Sequence, residues 1–266
     1  AMLKNGREIQ AKKYILATGG LSRPETGSTG DGFAILKQLG HTVNDTNAAL
    51  VPVALKERWV KRAAGVSMTN VKITIYQNDT KQESREGKIL FTHVGLSGPA
   101  IINMSRDIGE LLQYGEVTLE LDLLPDMGPE KVNARLQEVL KTDINKKVKN
   151  VLGSLVPPAL VAVLLELADI KSDTPCHSVT RSERLALART LKHLRVAVKG
   201  LLGLDKAIIT SGGVALEEID FKTMRSLKYP NLYIVGDLLD IDRPSGGYSL
   251  QLCWTTGFVA GASAAR

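Results

Sequence analysis

Three short stretches carry residue types suited to holding a nucleotide-like ligand: Thr18-Gly19-Gly20 in KKYILATGG, Gly236-Asp237 in NLYIVGD, and Gly246-Gly247-Tyr248-Ser249 in RPSGGYSLQ. In the first two, an apolar run ends in glycine, the pattern of a buried strand that delivers bare backbone to a ligand. In the third, paired glycines open an apolar segment rich in small residues (Gly257, Ala260, Gly261, Ala262), which reads as a helix that packs closely on a sheet. Its free N–H groups and the positive end of its dipole, equivalent to about half an elementary charge, suit something anionic or electron-rich. Asp237, at a strand's carboxyl end, could accept hydrogen bonds from the hydroxyls of a ribityl-like chain. The structural alternative for each segment is a glycine-terminated strand and an ordinary helix cap.

Other polar groups say less. Tyr248 could donate a proton or simply pack with its hydroxyl tethered. His41 and His193 stand at the carboxyl ends of expected helices, where histidine is favoured in any case, and His177 lies in no motif. Asp31 in TGSTGDG reads as a helix start, either a cap on a mobile loop or a contact to cofactor or substrate. Thr210 to Gly213, TSGG, could line a ligand or end a strand. Cys176 and Cys253 are far apart and in neither CxxC nor metal-ligand spacing, so no metal site and no disulfide are expected, and a reducing cytoplasm is the natural location.

The elements that must position these residues follow from periodicity. LKNGREIQAKKYIL reads as a hairpin turned by Asn5-Gly6, whose second arm runs into a strand at Tyr14 to Ala17 that lacks alternation, as for burial on both faces. A glycine-rich loop and an amphipathic helix, FAILKQLG, come next. From about residue 48 the character changes: VKITIY (71–76), KILFTH (88–93) and VTLELDL (117–123) alternate or nearly alternate apolar and polar residues, the mark of antiparallel strands with one solvated face. After Pro129, at a helix first turn, Val132, Leu136, Val139 and Leu140 recur at helical spacing, and Thr180 with Glu183 suggests a capping box. Apolar runs return at 194–202 and 206–209, and Leu232 to Val235 is a short buried strand. The fold class expected is α/β, or α+β overall, with one α/β domain interrupted by a large insertion. Its boundaries are 1–47 with 216–266 for the outer domain, 48–128 with 194–215 for an inserted antiparallel β domain, and 129–193 for a helical subdomain.

Composition supports a sizeable core and no membrane span: 44% of the 266 residues are hydrophobic. The most apolar stretch, VPPALVAVLLELADI, falls short of the roughly 20 residues a span requires and carries Glu166 and Asp169. A net charge of +6, spread over several segments, is explained by solvated helix faces, so nucleic acid is not expected as a partner.

Taken together, YILATGG, TGSTGDGFAILKQLGH, ILFTHVGLSGPAI, ITSGGVALEEIDFKTMRSL and YIVGDLLDIDRPSGGYSLQ resemble the BaiN/YhiN-like flavoprotein family, NAD(P)/FAD-dependent oxidoreductases that include aminoacetone-oxidase-like proteins. The resemblance implies a partial Rossmann-like FAD-binding domain. Thr18, Gly19 and Gly20 would lie against FAD, and Asp237 after Gly236 would bind its ribityl or pyrophosphate region. Gly246, Gly247, Tyr248 and Ser249 would present a helix N-terminus to the flavin. Two positions depart from the family pattern, Asp237 in place of Glu and Ser249 in place of Asn, and both shorten the hydrogen-bonding reach. His93 and Tyr248 become the candidates for proton chemistry, with a structural strand-end histidine as the alternative for the former.

The resemblance also implies hydride transfer through flavin N5 to or from a small-molecule substrate, with NAD(P)H as an electron donor. The GxGxxG turn and ribose-binding acid that such folds place before the ATG strand are absent. The chain is therefore expected to be a fragment, inactive by itself, of a longer enzyme. The competing reading is a non-catalytic binding module on a flavoprotein relic.

Overall fold

A computed structural model describes residues 6–203 and 205–266 and divides the chain into two compact units, residues 1–51 with 202–266, and residues 52–201. The first arm and half the turn of the expected amino-terminal hairpin, residues 1–5, lie outside the described residues.

The first unit is built on a four-stranded sheet. Its strands are β1 (Tyr14–Leu16), β10 (Ile219–Asp220), β11 (Arg225–Ser226) and β12 (Leu232–Ile234), in the order β1-β12-β11-β10. β1 and β12 run parallel, with Tyr14 opposite Leu232 and Leu16 opposite Ile234, whereas the remaining pairs are antiparallel. β12 is wholly buried, as its apolar run predicts. β1 instead forms an edge of the described sheet, and Ile15 is 45% exposed, so the expected burial of this run on both faces is not found. Helix α1 (Asp31–Gln38) buries Phe33 and Leu36, and helix α8 (Tyr248–Ala264) buries Ala260, in one apolar cluster with Ile234, Val235 and Leu238. A second ladder, β2 (Asn47–Ala49) against β9 (Ile209–Ser211), closes the two chain segments that flank the insertion. Residues 48–51 and 202–215 thus group with this unit, not with the inserted part.

A polar network pins the far edge of this sheet. His41 Nδ1 lies 2.6 Å from Glu218 Oε2, and His41 Nε2 lies 3.0 Å from Ser226 Oγ. Ser226 Oγ already accepts the backbone N–H groups of Lys228 and Tyr229. Its proton must therefore point to Nε2, which leaves Nδ1–H to donate to Glu218. Lys228 Nζ and the Thr42 N–H also donate to Glu218. Burial pushes the Glu218 carboxyl up, but the bonds from Lys228, Thr42 and His41 outweigh it and hold the group at about 2.

The second unit is a closed antiparallel barrel. Its strands are β3 (Val53–Leu55), β4 (Ser67–Gln77), β5 (Thr80–Phe91), β6 (Gly95–Ser97), β7 (Val117–Asp122) and β8 (Leu194–Leu201), in the order β3-β6-β5-β4-β7-β8. Alternation sends Val71, Ile73 and Ile75 of β4, Val117, Leu119 and Leu121 of β7, and Val196 and Val198 of β8 inward. β4 and β5 are joined by Asn78-Asp79, both at positive φ (48° and 61°), a tight turn whose twist matches the strands. Short helices α2 (Pro99–Asn103) and α3 (Ser105–Leu112) follow β6. Beyond β7 come helices α4 (Pro129–Thr142), α5 (Val148–Val151), α6 (Pro158–Leu167) and α7 (Arg181–Lys192). α7 opens on the capping box read from the sequence: Thr180 Oγ1 accepts from Glu183 N at 3.1 Å while Thr180 N donates to the Glu183 carboxylate at 2.7 Å.

Leu136, Leu160, Leu164, Leu187 and Leu191 from these helices share one continuous core with the barrel strands. The buried Lys192 fastens the junction, since its Nζ donates to Leu124 O (3.0 Å) and Met127 O (2.6 Å) and pairs with Asp122 Oδ2 (2.6 Å). Among the described residues no helix is long and apolar enough to cross a membrane.

Two outcomes follow. Lys192→Met strands a carboxylate and two carbonyls, and should cost about 3 kcal/mol, read as a lower urea midpoint at unchanged slope. The folded-state pKa of Glu218, about 2, lies below its ordinary 4.5, so its network contributes fully above that value and is lost as pH falls toward about 2. Unfolding curves between pH 6 and 3 should show this loss in the native protein and much less of it in Glu218→Gln.

Candidate functional site

Parallel pairing of β1 with β12 sends both carboxyl ends to the same sheet edge, so Thr18-Gly19-Gly20 and Gly236-Asp237 emerge side by side. Gly20 is there because the space is taken: a Cβ added to it would stand 2.4 Å from Thr210 Oγ1 and 3.4 Å from Asp237 O. Thr210 is almost wholly buried and staples this loop. Its Oγ1 accepts from Leu21 N (2.6 Å) and Ser22 N (3.1 Å) and lies 3.2 Å from Ser22 Oγ. In sequence the TSGG stretch reads only as a lining or a turn, because a threonine hydroxyl that accepts from backbone 188 positions away leaves no local signal. Gly236 N donates to Thr256 Oγ1 at 3.0 Å, which fixes α8 on the strand end.

The amino end of α8 is open. Gly246 and Gly247 hold φ of 109° and 94°, a region that disfavours other residues, and Gly247, the N-cap, has no side chain with which to cap the helix. A Cβ on Gly247 would meet nothing within 4 Å. Tyr248 is 58% exposed. The first-turn N–H groups thus face an unfilled glycine-lined approach with the positive end of a 17-residue helix behind it, a donor set that fits an anionic or electron-rich group such as a flavin.

Arg243 spans the two halves of this region, and neither its type nor its position in DIDRPSGG announced it. Its side chain is only 5% exposed. Nη2 binds Asp237 Oδ1, Nη1 binds Ile241 O, and Nε donates to Ser249 Oγ at 3.0 Å. Burial raises the Asp237 carboxyl above its usual value and the Arg243 guanidinium offsets part of that rise. Asp237 is therefore engaged by a cation in this structure and not held free as an acceptor. Cys253 lies close by, its thiol pushed up by burial first and by the Asp237 charge second.

The remaining candidates belong to other elements. His93 is exposed at the tip of the turn between β5 and β6 in the second unit, where Thr92 Oγ1 accepts from Val94 N and Gly95 N. Asp31 is the exposed first residue of α1. His41 belongs to the network described above, His193 lies 3.1 Å from Glu120, and His177 lies 2.9 Å from Ile144 O. Among the described residues no group of three or more His, Cys, Asp or Glu is placed to hold a metal ion, and both cysteines are free.

The family described as HI0933-like protein barrel and H2TH domain matches residues 47–209. A 3-dehydro-bile acid delta(4,6)-reductase of Clostridium scindens is 31% identical over 263 residues, covering 98% of this chain and 64% of that protein. A ribosomal RNA dihydrouridine synthase of Escherichia coli is 34% identical over 257 residues, covering 96% of this chain and 61% of that protein. Its counterpart from Haemophilus influenzae is 31% identical over 266 residues, 98% and 62% of the two chains. The chain thus spans somewhat under two thirds of the length of these relatives. Matched over more than half its length by the family and over nearly all of it by these proteins, the chain belongs to the HI0933-like family, the BaiN/YhiN-like flavoproteins whose glycine segments it carries.

Proposed function

We propose that this chain is the greater part of an FAD-dependent reductase that saturates a carbon–carbon double bond conjugated to a carbonyl. The observation that carries the reading is the uncapped, glycine-lined start of α8 beside the joined ends of β1 and β12. The names of the relatives point the same way, because a delta(4,6)-reductase and a dihydrouridine synthase both saturate such a bond. FAD supplies the hydride chemistry at N5, with NAD(P)H as the source of electrons. Gly19 and Gly20 give backbone access to it. The first-turn N–H groups of α8 bind its electron-rich edge and stabilise the charge it gains on reduction. Asp237 and Ser249, both held by Arg243, flank it, and the exposed Tyr248 is the proton donor within this unit. His93 is a second proton candidate. Activity belongs to the longer protein, cytoplasmic in this reading.

The substrate of the first reading is a small enone. A second reading, a uridine in RNA, draws support from charge. Residues 52–201 hold 22 Lys and Arg against 17 Asp and Glu, whereas the rest of the chain holds 12 against 11. An excess of this kind favours a phosphate backbone.

The complete protein should purify with a flavin spectrum, and its chemically reduced flavin should reoxidise anaerobically on mixing with its substrate. Reoxidation by a 3-oxo-Δ4 steroid but not by unmodified ribosomal RNA selects the small-molecule reading, and the reverse selects RNA. A preparation that takes up no flavin defeats both in favour of a non-catalytic module. Gly247→Asp sets a carboxylate at the amino end of α8, bad for an anionic ligand, and Gly247→Ala shares its backbone strain at φ 94° without the charge. Gly247→Asp should weaken FAD binding about tenfold, or about 1.4 kcal/mol, beyond the loss seen in Gly247→Ala, while the two variants lower the melting temperature alike.

A further inference from the structure

We infer that Arg243 is a positioning and charge-setting residue of the cofactor site: it locks the Asp237 loop to the first turn of α8 and cancels the Asp237 charge beside the helix dipole. The inference rests on the flavoprotein reading above and adds a residue that neither the glycine motifs nor the relatives assign.

Arg243 bridges the two ends of one turn. Asp237 follows β12, and Ser249 is the second residue of α8; the eleven intervening residues include two glycines at positive φ. The turn is anchored on its strand side, where Val214 N donates to Leu238 O and Asp240 N to Val214 O, and α8 is held to Gly236 through Thr256 Oγ1. Arg243 adds a direct tie from Asp237 to the first turn of the helix, because its planar fork engages a carboxylate, a carbonyl and a hydroxyl: Asp237 Oδ1, Ile241 O and Ser249 Oγ. All three partners are fixed by one side chain that is itself almost wholly buried.

Charge adds a second consequence. Left alone, a buried carboxylate at Asp237 would oppose the positive end of α8 and repel any group that becomes negative there. Paired with Arg243 it is neutralised, and the helix end keeps its field. Cys253 also faces Asp237, from the next turn of α8, and is a neutral thiol that supplies no compensating charge. The flavin bound here should consequently be easier to reduce with Arg243 than without it.

The test uses the complete protein, with flavin content, FAD affinity and flavin midpoint potential measured for the native sequence, Arg243→Ala, Arg243→Lys and the double variant Arg243→Ala/Asp237→Asn. In Arg243→Ala, FAD affinity should fall at least tenfold, and affinity for reduced over oxidised flavin should fall about tenfold, a drop of about 30 mV for a two-electron couple. Arg243→Lys keeps the charge but not the fork, so it should hold the potential near native while losing affinity. The double variant removes both charges and should return the potential toward native, which also covers the case in which the single alanine variant fails to fold. Flavin bound at native potential and affinity in Arg243→Ala, or equal losses of affinity in every variant with the potential unmoved, would leave Arg243 a structural residue and overturn the inference. A complete protein that binds no flavin at all overturns the flavoprotein reading itself, an outcome told apart by the absorption spectrum of the unmutated protein.

Discussion

The first unit depends on a three-residue parallel ladder between segments more than two hundred positions apart. Tyr14 N donates to Asn231 O at 2.8 Å and Val235 N to Leu16 O at 3.2 Å, and the register between these bonds sets Leu16 beside Ile234. Parallel strands cannot be joined by a short turn, so the ladder forms only after the chain has gone out and returned. What it secures is direction. Both strands end at one edge, so two glycine-terminated segments, remote in sequence, become neighbours, and α8 can be fastened over them through Thr256. Had the pair been antiparallel, Gly20 and Asp237 would lie at opposite ends of the sheet.

The long excursion is tolerated because its two ends are tied together before it begins. β2 and β9 pair Asn47 with Ser211 and Ala49 with Ile209, so the first unit senses the insertion as little more than a closed loop. Inside the insertion the rules are different. Closure of six strands removes every sheet edge, and in-and-out alternation fills the interior largely with Val, Ile and Leu. The helices after β7 do not make a core of their own: their leucines complete the cluster begun by the barrel, with Lys192 satisfying the carbonyls of the loop that turns from strand to helix. Barrel and helices are accordingly one compact unit.

Periodicity exposed what depends on neighbours in sequence. The alternation of β4 and β7, the helical spacing of Leu136 and Leu140, the Thr180–Glu183 box and the buried run at β12 all follow from local pattern. The amino half of β5 was hidden because Lys81 to Glu86 are all polar, and a strand facing solvent there is set by its partners in β4, not by its composition. Exposure of Ile15 was equally hidden, since an apolar run does not say whether a second strand lies beside it. In the candidate site, glycines were legible because backbone freedom is a property of the residue. Thr210 and Arg243 were not, because their roles consist of contacts made across the fold.

Hydrogen-bond accounting separates the two polar clusters of the first unit. Ser226, His41 and Glu218 lie in the order and at the distances of a nucleophile, base and orienting acid. Yet Ser226 is 1% exposed and its oxygen is saturated by two backbone N–H groups. No lone pair is left to attack a substrate and none can approach, so the cluster is a staple between the end of α1 and the sheet. Arg243 and Asp237 are less deeply set, at 5% and 19% side-chain exposure, and beside them α8 starts on Gly247, which has no side chain to cap the helix and where an added Cβ would meet nothing within 4 Å. A folded chain satisfies buried polar groups wherever only stability is at stake. The exposed first turn of α8, whose N-cap is a glycine with no side chain, is under no such demand, and that sets it apart from the staple.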